Sequence, residues 1–230
     1  MDREVFSMKK TRLRLAREHQ RRQVNRETIL HAAEAVVLRK GFGDASMDDV
    51  AAEADFSKAT LYKYFTSKAE LVFEILIHFL EDSERMLRSI RERDLSAGER
   101  LYESLLATVR FEAEKENITR LFMADPSFMK LMQSFVADRG RSSSAAEKRF
   151  VQKIKAKRLT IMDGVGLLLA QGIESGEFRP HDVQAGAMFL GSVIEGYFQE
   201  KFWADAKIDI ENDIRIIFEF VMRGLDRKDP

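Results

Sequence analysis

Side chains able to donate hydrogen bonds to phosphate and to meet base edges crowd into one stretch, SMDDVAAEADFSKATLYKYF, residues 46–65. Lys58, Thr60, Tyr62, Lys63 and Tyr64 supply ammonium and hydroxyl groups. Ala59 and the Thr60 methyl supply the small apolar contacts that suit thymine methyls. Catalytic chemistry finds no such concentration. The four histidines, His19, His31, His78 and His181, stand apart, and none belongs to an H-E-x-x-H. Ser142 to Ser144 sit in a loop without a nucleophile elbow. There is no P-loop and no G-x-G-x-x-G; the G-V-G at 164–166 lies inside a helical pattern. Cysteine is absent, which removes disulfides, thiol catalysis and Cys-based zinc sites. We therefore expect no catalytic residue, no metal ligand set and no cofactor.

The elements that must position this stretch all read as helix. Ile29, Ala32, Ala33, Val36 and Val37 recur at helical spacing over residues 25–40, with Asn25 suited to cap the start and Gly41 to end it. A second helix spans Met47 to Ala54 behind Ser46. A third spans Lys58 to Tyr64 behind Ser57, and a fourth, about 67–92, starts at Thr66 or Ser67. Val50, Ala51 and Ala54 face inward, Phe56 anchors the turn, and Leu61 and Phe65 lock the third helix down. This is the size and rhythm of a helix-turn-helix, whose second helix fits the major groove of DNA. Beyond it, further helices are expected at 99–115, after Pro126, at 145–175 with Gly176 as the stop, at 182–203 and at 210–225. The segment DRGRSSS, 138–144, is the clearest loop. No stretch alternates as a strand does, so the fold class is all-α: an N-terminal three-helix helix-turn-helix unit followed by a larger helical domain.

The ordered string RETIL (26–30), GF (41–42), ASMDDVAAEA (45–54) and FSKATLYKYFTSKAELV (56–72) resembles the TetR family of bacterial transcriptional regulators. The resemblance implies that the first recognition contacts fall on Lys58, Ala59 and Thr60. It places Tyr62, Tyr64 and Lys68 at phosphate-contacting positions, with Lys63 beside them, and Ser46 and Met47 at the start of the preceding helix, which touches the DNA backbone. Ser46 and Ser57 also suit plain helix caps, and Tyr64 also suits packing on the first helix. Asp55 stands where the family usually has Gly in the turn. Aspartate tolerates the left-handed conformation better than most residues, so the turn should survive.

The family also implies a C-terminal domain that dimerises and binds a small molecule. The helix at 182–203 is apolar on more than one face, so it must bury against its own domain and something else. The resemblance assigns the dimer interface to the last two helices. Its candidates are Phe189, Leu190, Val193, Ile194, Tyr197 and Phe198 with Ile214, Ile217, Phe218 and Val221, and Gly186, Gly191 and Gly196 would allow close approach. Phe111, Phe122, Met123, Phe128, Met132, Phe135, Met162 and Phe189 are candidates to line an apolar effector pocket, adaptable methionines among them. Glu112, Asn117 and Gln171 are its lone polar candidates.

The domain plan is then a basic arm at 1–24, the helix-turn-helix at 25–68, and a regulatory and dimerisation domain at 69–230. The arm reads as a phosphate-tracking extension, a loose tail, or a continuation of the first helix. The expected partners are a double-stranded, near-palindromic DNA operator, a second copy of the chain, and a small hydrophobic effector. The competing reading is a DNA-binding regulator with no small-molecule effector, controlled by a protein partner.

Taken whole, a formal net charge of +0 across 230 residues speaks against nucleic acid. Divided at residue 68, however, the chain carries 14 basic and 10 acidic residues before the division and 24 and 28 after it. The neutral total is a positive head and a negative body, which favours approach to DNA head first. No apolar run approaches the roughly 20 residues that span a bilayer, and the N-terminus lacks a signal-peptide pattern. A cytoplasmic location is expected.

Overall fold

The computed structural model describes the backbone of residues 2–137, 145–204 and 207–225, and the side chains of residues 12, 14–133, 148–204 and 207–225. Every regular element among them is helix, as the sequence predicts. In chain order these are α1 (Asp2–Asp44), α2 (Met47–Glu53), α3 (Lys58–Leu61), α4 (Lys68–Arg91), α5 (Ala97–Glu114), α6 (Glu116–Ala124), α7 (Pro126–Ala137), α8 (Ala145–Glu174), α9 (Val183–Trp203) and α10 (Ile210–Leu225). The predicted loop 138–144 lies outside the described residues.

The chain divides into two compact units, Met1–Ile75 and Leu76–Pro230, with the division inside α4. In the first unit, Ile29, Ala33 and Val36 of α1 are fully buried, together with Leu61, Phe65 and Val72. The expected start of α1 is corrected. Asn25 is no cap; the helix runs on through the basic arm. No proline or glycine interrupts residues 2–24, and an asparagine inside a helix costs less than about 0.7 kcal/mol. The expected stop holds. Gly41 takes φ 77°, a left-handed value that a Cβ would oppose, and the helical run kinks there.

In the second unit the core runs through Leu101, Val109, Leu169, Phe178, Ala187, Phe198 and Ile214. Side-chain caps set the helix starts. Ser96 and Glu99 form a reciprocal capping box on α5, and the Asp182 carboxylate accepts the N–H groups of Gln184 and Ala185 at the start of α9. Glu177 reaches α5 from the segment after α8, accepting the N–H groups of Ala97 at 3.0 Å and Gly98 at 2.9 Å. Gly172 lies where α8 meets Phe178, and a Cβ there would stand 2.1 Å from the ring.

Candidate functional site

The helix-turn-helix is held by local bonds before any partner arrives. Ser46 caps α2, accepting the Asp49 N–H at 3.1 Å, while the Asp49 carboxylate accepts from the Ser46 N–H and hydroxyl. The Lys40 ammonium at 2.7 Å, helped by those Ser46 bonds, holds the Asp49 carboxyl down at about 2. In the turn Asp55 takes φ 55°, the left-handed value expected where the family has Gly. The Phe56 N–H then closes onto the Ala51 carbonyl at 2.9 Å. Ser57 caps α3 through the Thr60 N–H at 3.1 Å. The regular helix ends at Leu61, and Tyr62 to Tyr64 continue as turn rather than as the predicted helix.

Ala59, Tyr62 and Lys63 are exposed on α3 and the turn after it. Lys58 is exposed as well but pairs with Asp48 across the motif at 2.7 Å. Thr60 is half-buried, its hydroxyl 2.9 Å from that of Ser57. The Tyr64 hydroxyl accepts from the Asn25 amide at 3.0 Å, which keeps its own proton available to an outside acceptor.

Two expected DNA contacts are corrected. Met47 is buried in the head core beside Val50 and Ala51, since the first turn of α2 directs it inward. Lys68 turns back to the end of α1. Its ammonium bonds the carbonyls of Phe42, Gly43 and Ala45 at 2.5, 2.9 and 2.8 Å, and lies over the Phe42 ring. An ammonium has three donors, so these carbonyls leave none for phosphate.

The second unit contains an apolar cavity of about 520 Å³. Of the candidates, Phe122, Met123, Phe128, Met132 and Met162 line it, with Leu76, Phe79 and Leu105 among their neighbours. Phe111 does not line it; its ring packs behind Phe79 at a centroid distance of 5.0 Å. The Phe135 side chain lies outside the described residues. Neither Asn117 nor Gln171 lines the cavity, and Gln171 instead accepts from Arg100 at 3.0 Å. Glu112 does line it, and its Oε2 is buried with no hydrogen-bond partner among the described residues. Burial first, then the charge of Glu195, pushes its carboxyl up to about 8.

The predicted dimer set splits between two faces. Leu190, Ile194, Phe198, Ile214, Ile217 and Val221 are buried in their own chain's core and present little surface to a partner. Val193, Tyr197 and Phe218 are half-buried against the same core, and the Tyr197 hydroxyl donates to Asp213 at 2.6 Å. Phe189 is 62% exposed, which removes it from the cavity and leaves it on the outside of α9. The outward apolar residues on α9 and α10 are Met188, Phe189, Trp203, Ile216 and Phe220. Gly186 and Gly191 admit side chains of the same chain, whereas a Cβ on Gly196 would meet open space.

Residues 29–75 match the family model described as bacterial regulatory proteins, tetR family. The helix-turn-helix segment is that of the TetR family. An uncharacterised HTH-type transcriptional regulator of Bacillus subtilis, YhgD, is 23% identical over 200 residues, 87% of this chain and 96% of that protein. The HTH-type transcriptional repressor KstR2 of Mycobacterium tuberculosis is 29% identical over 164 residues, covering 69% and 72%. Among solved structures, the regulator FadR of Bacillus subtilis in complex with stearoyl-CoA aligns at a TM-score of 0.68 and 20% identity, covering 86% of this chain and 98% of that one.

The chain is a DNA-binding transcriptional regulator with a TetR-type helix-turn-helix. The matched span holds α2, α3 and the first turns of α4. Sequence reading missed the residues just before it that brace the motif. Arg26 donates to the Tyr64 carbonyl, lies 4.2 Å above the Phe65 ring and pairs with Glu74 at 3.1 Å. Arg26 opens the string RETIL and Asn25 precedes it; Asn25 reads as a helix start, which hid its role.

Proposed function

We propose that this regulator represses transcription from a near-palindromic operator, and that a lipid-like effector entering the cavity releases it. The observation that carries the reading is the 520 Å³ apolar cavity, which lies in the unit that does not hold the helix-turn-helix. Its size is that of a drug-sized ligand site. FadR of Bacillus subtilis holds stearoyl-CoA, and KstR2 is described as a ketosteroid transcriptional regulator. Both support an extended apolar effector here.

DNA recognition in this reading uses Lys58, Ala59 and Thr60 at the base edges and Tyr62, Lys63 and Tyr64 on phosphates, with Ser46 serving chiefly as a cap. The domain plan is likewise proposed: a DNA-binding head with its helical basic arm, and a regulatory body beyond. One helix-turn-helix reads a few base pairs, so the operator is read by a homodimer on two half-sites. The exposed faces of α9 and α10 supply the self-association surface, with Phe189, Ile216 and Phe220 at its centre. The effector binds one arrangement of the dimer better and shifts the population by that difference. The protein acts in the cytoplasm without catalysis.

The test is selection of bound fragments from genomic DNA by the purified chain, followed by titration with stearoyl-CoA. The selected site should be a near-palindrome. Tyr62→Ala with Lys63→Ala should weaken binding at least tenfold with dimer mass unchanged, and stearoyl-CoA should release the DNA. Undiminished binding by the double variant would refute the assigned surface.

A further inference from the structure

The cavity wall is mostly apolar, yet one of its carboxyls carries a buried oxygen without a partner among the described residues. Glu112 Oε2 is buried and has no hydrogen-bond partner among the described residues. A buried polar group left unmet is costly, so what meets it must come from the cavity. The other charged groups in the wall are Arg91, Lys155 and Arg158 against Glu195, with Arg158 and Glu195 paired at 2.6 Å.

We infer that Glu112 is the polar specificity determinant of the cavity and selects an effector bearing an uncharged hydrogen-bonding oxygen, a carbonyl or hydroxyl, within an apolar body. The inference rests on the effector reading above and narrows it. An ammonium would approach a wall with more basic than acidic groups. A carboxylate set against Glu112 would hold two carboxyl groups in apolar surroundings with one proton between them. A neutral oxygen meets neither obstacle. Burial keeps the Glu112 proton on at neutral pH, so its hydroxyl donates to a carbonyl, or donates and accepts with a hydroxyl. Specificity of this kind is strong because the wrong ligand leaves the buried group unmet.

Three probes of one skeleton test this by calorimetry on the full chain: the hydrocarbon pentylbenzene, the ketone valerophenone and the amine 1-phenylpentylamine. Glu112→Leu should lower valerophenone affinity at least tenfold and leave pentylbenzene affinity unchanged or higher. Glu112→Gln, which keeps a neutral donor of similar shape, should hold valerophenone within about threefold of wild type, which also shows that the fold is intact. Equal losses for ketone and hydrocarbon, or no loss for either, would overturn the role of Glu112. Tightest binding of the amine, with one proton released as read in two buffers of different ionisation enthalpy, would instead make the site a cation site. If none of the three binds wild type, the effector reading beneath the inference fails.

Discussion

Glu112→Gln should flatten part of the dependence of stability on pH. In the folded chain burial holds this carboxyl near 8 against an ordinary value of 4.5. Between those values the folded state keeps a proton that the unfolded state has lost. Stability therefore falls as pH rises from about 4.5 to about 8, and the slope ends above that. At pH 7 the penalty is at most about 3.5 kcal/mol, taking ~1.4 kcal/mol for each pH unit above the unfolded value of 4.5. Water admitted to the cavity would reduce it, so about 2 kcal/mol is expected. Glutamine carries the same shape and the same unmet hydrogen bonds but no charge. The variant should thus match wild type near pH 4.5 and exceed it by about 2 kcal/mol at pH 7. Urea unfolding of both proteins at pH 5, 6, 7 and 8 reads this directly. Titrations elsewhere cancel in the difference between the two curves. A difference that stays constant from pH 5 to 8 would show that Glu112 is ionised and solvated in the folded chain.

Gly172→Ala should destabilise by about 1–3 kcal/mol in chemical denaturation, because its Cβ would stand 2.1 Å from the buried Phe178 ring. Combining it with Phe178→Leu should cost less than the two changes summed. Lys68→Ala should cost about 2 kcal/mol of head stability by removing charged donors from three carbonyls. Local loss of amide protection near Phe42 to Ala45 in hydrogen exchange would identify the cause. Glu177→Gln should cost about 1 kcal/mol at pH 7, the usual weight of a side-chain cap. The bond to the Gly98 N–H, then that to Ala97, lowers the Glu177 carboxyl below its ordinary 4.5. Its contribution is therefore present above that value and lost as pH falls, so melts below pH 4 should bring variant and wild type together.

Helix type and extent were legible wherever apolar residues recur at helical spacing between strong stops. Gly41 and Gly176, predicted to end helices, both take left-handed φ values. The helix-turn-helix was legible because a short ordered string of caps, alanines and aromatics allows few other arrangements. Three features were not. The helix is unbroken through Asn25 because its side chain finds a partner 39 residues away, which no local signal encodes. On α9 apolar residues surround the helix, so periodicity could not separate the core-facing Ile194 and Phe198 from the outward Phe189. Glu112 stood in sequence as one polar candidate beside Asn117 and Gln171 with nothing to separate them; only the assembled wall singles it out. Met47 and Lys68 share a lesson: agreement with a motif position does not say which way a side chain turns.

The pairing of Asp48 with Lys58 also bears on how the head meets nucleic acid. Both side chains are largely exposed, so the pair itself adds little stability. The Asp48 carboxylate nevertheless occupies the ammonium that a DNA anion would seek, and so acts as an internal decoy. In the proposed binding mode Lys58 must leave Asp48 to meet DNA, with a smaller net release of counterions than a free lysine would give. Salt dependence of operator binding should then be shallower than the number of basic residues at the surface suggests. Random DNA, which offers charge without a matching base edge, has less to gain from displacing the decoy.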